Sequence, residues 1–179
     1  SIAAALGWGL AFFMIYTSPH PAAMATKWIA SNVPGKAYLV GETWNEVIRY
    51  NAEPLGSKQL KGSQINFYSP DTNAKMSEII DEVTKADFII IETPKVMNTI
   101  LRLRNRYPLS GRFYQQLFAH NLGFIQVAQF GNFPRIGPFV VNDGLAEETF
   151  SVFDHGMVTI FRKEHIKTRK ELESLLGAR

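Results

Sequence analysis

The sequence predicts an α/β domain with a central, mostly parallel sheet of about five strands covered by helices. Three observations lead there. "DFIIIE", residues 87–92, is an unbroken apolar run of the kind buried on both faces of a sheet. It follows directly on a helical stripe made by Met76, Ile79, Ile80 and Val83. Other strand-like segments alternate with helical patterns along 179 residues, 46% of them hydrophobic and 20% charged, which is enough for one sizeable core.

The first element, "SIAAALGWGLAFFMIY", carries no charge from Ser1 to Tyr16 and is apolar all round. It lacks a basic leader, so a signal peptide fits poorly, and it is short of the roughly 20 residues of a full span. Trp8 and Tyr16 suit a helix leaving a bilayer. Residues 1–16 are therefore expected to be the end of a transmembrane helix, with residues 17–179 a soluble domain hung from it.

Pro19 and Pro21 break that helix, and Ala25, Trp28 and Ile29 form the stripe of the next, which "NVPG" stops. "AYLVGE" (37–42) reads as a first strand, followed by a loop or helical turn in "TWNEVIRYN" and a surface loop in "PLGSKQLKG". "SQINFYS" (63–69) reads as a second strand. The helix before "DFIIIE" has Asp71 or Thr72 as its cap, and Pro94 opens another helix that closes before Pro108. Ser110 is the expected N-cap of a helix with Phe113, Leu117 and Phe118 buried and Gly123 as its stop. "FIQVAQF" is a strand, residues 131–148 a long excursion with Pro and Gly, and "MVTIFRK" the last strand. An amphipathic helix presenting Ile166, Leu172, Leu175 and Leu176 ends the chain.

Composition narrows the function. The net charge is +3 with the basic residues dispersed, so nucleic acid is not an expected partner. Zero cysteines exclude disulfides and thiolate zinc sites. The chain has no P-loop, glycine-rich dinucleotide turn, HExxH or G-x-S-x-G elbow, which counts against a free-standing nucleotide enzyme or hydrolase. His20, His120, His155 and His165 are scattered, and no metal is expected.

Three places carry chemistry worth weighing. Glu42, Trp44 and Glu46 lie just past the carboxyl end of the first strand, where ligand sites gather in open α/β sheets. An indole beside a carboxylate suits a sugar: the ring covers C–H groups while the acid accepts hydroxyl bonds. The alternative is a turn whose Trp plugs the core. Arg102, Arg104, Arg106 and Arg112 either meet phosphate near a membrane or form a solvated helix face. Asp154-His155 is a dyad on paper, but neighbours in an extended segment point to opposite faces, and "DHG" before "MVTIF" has turn chemistry.

The order of these segments resembles a known family. "PHPAAMATKWIASNVPGKA", "GETWNE", "RYPLSGRFYQQLFAHNLGF", "FPRIGPF" and "AEETFSVFDHGMVTIFRK" together resemble the C-terminal region of the YYY-type multi-pass membrane proteins of archaea and Chloroflexus-like bacteria. That family is related to the dolichyl-phosphate-mannose-protein mannosyltransferases of the GT-C superfamily. The resemblance runs from about Tyr16 to Lys163, and the turn at Asp154 and His155 is its most specific marker. Phe153, Gly156 and Asn45 stand where the family pattern has Tyr, Pro and Asp, which weakens any catalytic role for those loops.

The resemblance implies a membrane-anchored, extracytoplasmic accessory domain that works beside an N-terminal multi-pass region of the same protein. The catalytic carboxylate would then lie outside this chain, in an external loop between early membrane helices. Lipid-linked sugar, a polyprenyl-phosphate sugar donor, is the implied substrate, with Glu42, Trp44 and Arg112 as contacts to it or to the acceptor. The competing expectation is a non-catalytic structural or interaction domain of a multi-pass membrane protein.

Overall fold

The computed structural model describes residues 2–43, 55–56, 58–142 and 156–177. Helix α1 (Ile2–Phe13) runs into a 3-10 turn (Met14–Thr17), and α2 (Pro21–Asn32) begins after Pro19. His20 caps α2, its Nδ1 accepting from the Ala22 amide at 3.2 Å, with Pro21 at the position where a missing N–H costs nothing. By length and composition the helical stretch Ile2–Asn32 is apolar enough to cross a membrane, and little of it is buried. The extended backbone at Ser18 and Pro19 divides it, so α1 itself is about 18 Å long at the usual helical rise.

The sheet holds β1 (Tyr38–Glu42), β2 (Lys61–Ile65), β3 (Phe88–Ile91), β4 (Phe124–Gly131) and β7 (Met157–Lys163) in the order β2-β1-β3-β7-β4. β1 pairs in parallel with both β2 and β3, and β7 runs antiparallel between β3 and β4. Four strands thus point one way and one the other, as the mostly parallel expectation requires. Two short strands, β5 (Arg135–Ile136) and β6 (Phe139–Val140), make a separate hairpin.

Strand alternation sorts the side chains into two layers. Val40, Ile89, Ile91, Phe161 and Phe124 face one side, under α3 (Asn73–Lys85), α4 (Pro94–Arg102), α5 (Pro108–Phe118) and the last helix, α6 (Arg169–Gly177). Leu39, Phe88, Ile90, Val158 and Ile160 face the other, under Ala25, Ile29 and Val33 of α2 together with Leu55. All four residues of β3 are buried, which is why this strand reads as a continuous apolar run.

Four local readings are corrected and two are sharpened. β2 begins at Lys61 and ends at Ile65, two residues earlier and shorter than expected, because Asn66 turns the chain. Its side-chain carbonyl accepts from the Tyr68 amide at 3.1 Å, a bond that competes with the sheet ladder. Of the two expected caps of α3, Thr72 is the one used. α5 starts at Pro108, so Ser110 lies inside the helix, and its hydroxyl donates to the Phe67 carbonyl at 2.9 Å. Ile166 is 86% exposed because α6 begins only at Arg169, leaving Leu172 and Leu176 to reach the core. The excursion after β4 contains the β5–β6 hairpin. Gly123 is not the stop of α5: the helix ends at Phe118, and His120, at φ +61°, takes the left-handed position that closes it, its amide donating to the Leu117 carbonyl and that of Asn121 to Gln116. Gly123 instead leads into β4 at φ +86°, where an added Cβ would sit 2.2 Å from the His165 carbonyl oxygen.

Candidate functional site

The connections decide where a ligand site can form. β1 leads to β2 on one side of it, whereas β3 leads through α4 and α5 to β4 on the other. Chain paths that part from adjacent parallel strands open a crevice outside their carboxyl ends. Each of these two strands finishes in a glutamate. Glu42 is the last residue of β1 and Glu92 follows the last residue of β3, and they are 1% and 2% exposed.

The pleat sends them to opposite faces. Glu42 shares the face of Val40, under α5, and Glu92 that of Ile90. They are therefore no carboxylate pair that could flank one scissile bond. On its own face Glu42 accepts a short hydrogen bond from the Tyr114 hydroxyl of α5. Burial, then the Glu42 carboxylate, push the Tyr114 phenol well above its usual value of 10.0.

A polar knot behind the end of β2 holds α5 in place for that bond. Buried Lys75 donates to the Phe67 carbonyl at 2.9 Å, to the Ser69 carbonyl at 2.6 Å and to Asp71 Oδ1 at 2.8 Å. The other oxygen of Asp71 accepts from the Leu109 amide at 2.6 Å, in the first turn of α5. Phe67 packs its ring 4.7 Å from Phe113 and 4.9 Å from Tyr114. Every donor of the lysine is satisfied, so the knot serves the fold.

The opposite face is hollow. Gly41 and Gly62 leave the sheet without side chains beside the β1–β2 edge, and a cavity of about 280 Å³ opens there. Leu39, Leu60, Gln64 and Glu92 line it. Gly62 has no alternative, since a Cβ would stand 2.5 Å from the Leu39 carbonyl oxygen. At Gly41 a Cβ would meet Glu92 Oε1 at 3.8 Å, ordinary contact, so there the glycine leaves room rather than relieving a clash. A buried carboxylate at the rim of such a hollow accepts hydroxyl or ammonium donors.

The residues singled out from sequence divide accordingly. Glu42 sits at the switch point, bonded to the fold through Tyr114. Arg112 faces elsewhere: its Nε donates to the Leu176 carbonyl near the end of α6. Positions two apart on a helix are about 200° apart, so Arg112 and Tyr114 cannot both address Glu42. Trp44, Asn45, Glu46, Phe153, Asp154 and His155 lie outside the described residues. Arg102, Arg104 and Arg106 are exposed, and Arg106 lies over the Tyr107 ring at 5.3 Å. His120 Nδ1 meets the Phe124 carbonyl at 3.0 Å, and His165 is exposed. Among the described residues no cluster of His, Cys, Asp and Glu is placed to hold a metal.

Glu92, Gly41, Gly62 and Tyr114 went unmarked in the sequence. Glu92 had a legible signal, since "DFIIIE" and "AYLVGE" finish alike and the rule about strand ends applies to both. In comparisons with protein-family models, with curated proteins and with solved structures, no match is found for the chain.

Proposed function

We propose that the chain is the extracytoplasmic domain of a membrane glycosyltransferase that uses a lipid-linked sugar, and that it assists substrate or acceptor binding at the membrane face. The hollow between Gly41, Gly62 and Glu92 would receive the hydroxylated headgroup. The observation that carries this reading is the buried Glu92 carboxylate on a cavity of about 280 Å³, a volume near the lower end for small-ligand sites. An apolar N-terminal stretch that can enter a bilayer supports the same reading, since a lipid carrier would present its sugar at a membrane. The bond-making carboxylate would belong to the multi-pass region of the same protein.

Titration of the full chain with a short polyprenyl-phosphate sugar, followed by amide NMR, tests the proposal. Shifts at Gly41, Gly62 and Gln64 that vanish in Glu92→Gln and in Gly41→Val are the expected result. Silence at those amides in the parent chain overturns it.

One observation favours a second reading, a non-catalytic structural or interaction domain. Two of the residues expected to touch ligand are engaged inside the fold, Glu42 by Tyr114 and Arg112 by the Leu176 carbonyl. That reading predicts silence in the same titration and full activity of the parent enzyme with Glu92→Gln.

A further inference from the structure

We propose that the β5–β6 hairpin is a second membrane contact, its tip entering the interfacial layer of a lipid bilayer beside α1. The inference rests on reading α1 as embedded, which the test below checks separately.

The hairpin is small and exposes an apolar side chain on each face. Ile136 and Phe139 are a cross-strand pair and share one face, and Val140 lies on the other, opposite Arg135. Their exposures are 45%, 77% and 58%, and Val141 adds 44%. Gly137, at φ +56°, and Pro138 close the loop, and residues 136–142, "IGPFVVN", contain no charge. An isolated two-stranded ribbon is marginal in water, and one whose tip presents Phe and Val needs something to bury it.

Its position says what. β5 packs on the carboxyl end of α1 and on the 3-10 turn, where Ala11 and Ile15 are buried one helical turn apart. Two polar bonds fix it there: Asn132 Nδ2 donates to the Pro19 carbonyl at 3.0 Å, and an Arg135 Nη donates to Ser18 Oγ at 2.9 Å. The apolar tip is thus continuous with α1, a helix on which Ile2, Ala3, Ala4, Ala5 and Leu6 are all exposed. Five successive exposed apolar residues go right round the axis. A protein partner covers a stripe of a helix, whereas a bilayer surrounds it. Arg135 and Asp143 flank the uncharged run, and Arg135 bonds Ser18, two residues past exposed Tyr16; a cation bonded so near a Tyr suits headgroup depth.

The chain has no cysteine, so single-cysteine labelling needs no background removal. The full chain would be reconstituted into phosphatidylcholine vesicles with an environment-sensitive fluorophore at Phe139→Cys, at Val140→Cys, at Leu10→Cys, or at Lys170→Cys on α6. Blue-shifted emission at 139 and 140, most of it lost when the vesicles carry nitroxide lipid, supports the hairpin contact, with the label at 170 unchanged. Emission at both hairpin positions as unquenched as at 170 overturns it. The label at Leu10 reads the helix independently. Quenching at 10 without the hairpin positions removes this inference and leaves α1 embedded, and quenching at the hairpin alone refutes the embedded helix on which the inference rests. Far-UV circular dichroism checks each variant for folding, and two hairpin positions guard against one label disturbing the turn.

Discussion

Replacing Tyr114 by Phe tests how the switch point is held. The change removes one oxygen and keeps the ring, so the packing on Phe67 and Phe113, at 4.9 and 5.5 Å, survives. What is lost is the hydroxyl donor to Glu42, a carboxyl only 1% exposed. Hydrogen bonds to a charged group contribute roughly 1.5–3 kcal/mol, and a buried acceptor deprived of its donor cannot turn to water. A loss of about 2 kcal/mol is expected, or roughly 4–8 °C in Tm for a chain of this size. Urea unfolding of Tyr114→Phe, Glu42→Gln and the double variant gives a coupling energy, expected at about 1 kcal/mol or more. Tyr114→Phe within about 0.5 kcal/mol of the parent, with additive single changes, would refute the assignment of this bond as a support. Alkaline pH supplies a second readout. The folded phenol titrates above its ordinary 10.0, so its contribution is complete below that value and is lost as pH rises through the folded value. The parent should lose stability above roughly pH 10, and Tyr114→Phe should lose correspondingly less there.

Three further outcomes are expected. Gly123→Ala should destabilise by about 1–3 kcal/mol in chemical denaturation, since φ is +86° and the His165 carbonyl blocks the Cβ, whereas Gly35→Ala, with open space around it, should not. Ile90→Ala, at a fully buried site between β1 and β7, should cost about 2–5 kcal/mol by the same measurement. Glu171 accepts from the amide and hydroxyl of Thr168 at 2.7 and 2.8 Å, and with Lys167 these hold its carboxyl down at about 2. Its contribution to the start of α6 is present above the ordinary 4.5 and fades as pH falls towards 2, so the Thr168 amide resonance should move over that window and not in Glu171→Gln.

Much of this fold was legible because local and global signals agreed. "DFIIIE" reads as a strand buried on both faces, and Pro94 and Pro108 open helices as their backbone chemistry allows, whereas α5 closes at His120 and not at the glycine after it. The misplacements share one cause. Asn66, Ser110 and Ile166 have local preferences that the rest of the fold settles: Ser110 bonds Phe67 across some 40 residues of chain, and the choice of Thr72 over Asp71 as cap goes with the bond Asp71 makes to Leu109. The candidate site was half legible. Position after a strand marks Glu42 and Glu92 alike, but which face each takes and which helix supplies a hydroxyl depend on pairing register. Arg112 shows the reverse error, a cation read for its charge that the fold uses to hold a helix end.

The place of β7 bears on how the chain is made. Among the described strands it comes last in chain order, yet it separates β3 from β4. While the ribosome is still short of Met157, β3 can pair only with β1, and β4 has no neighbour in the sheet. Both then present open backbone edges, the state most prone to pairing with the wrong chain. Nascent chains stalled before Met157 should be protease-sensitive around β4 and resistant only in the β2-β1-β3 part, and release past Lys163 should close the whole sheet in one step. A bilayer grip on α1 would hold that unfinished sheet at one place until β7 arrives.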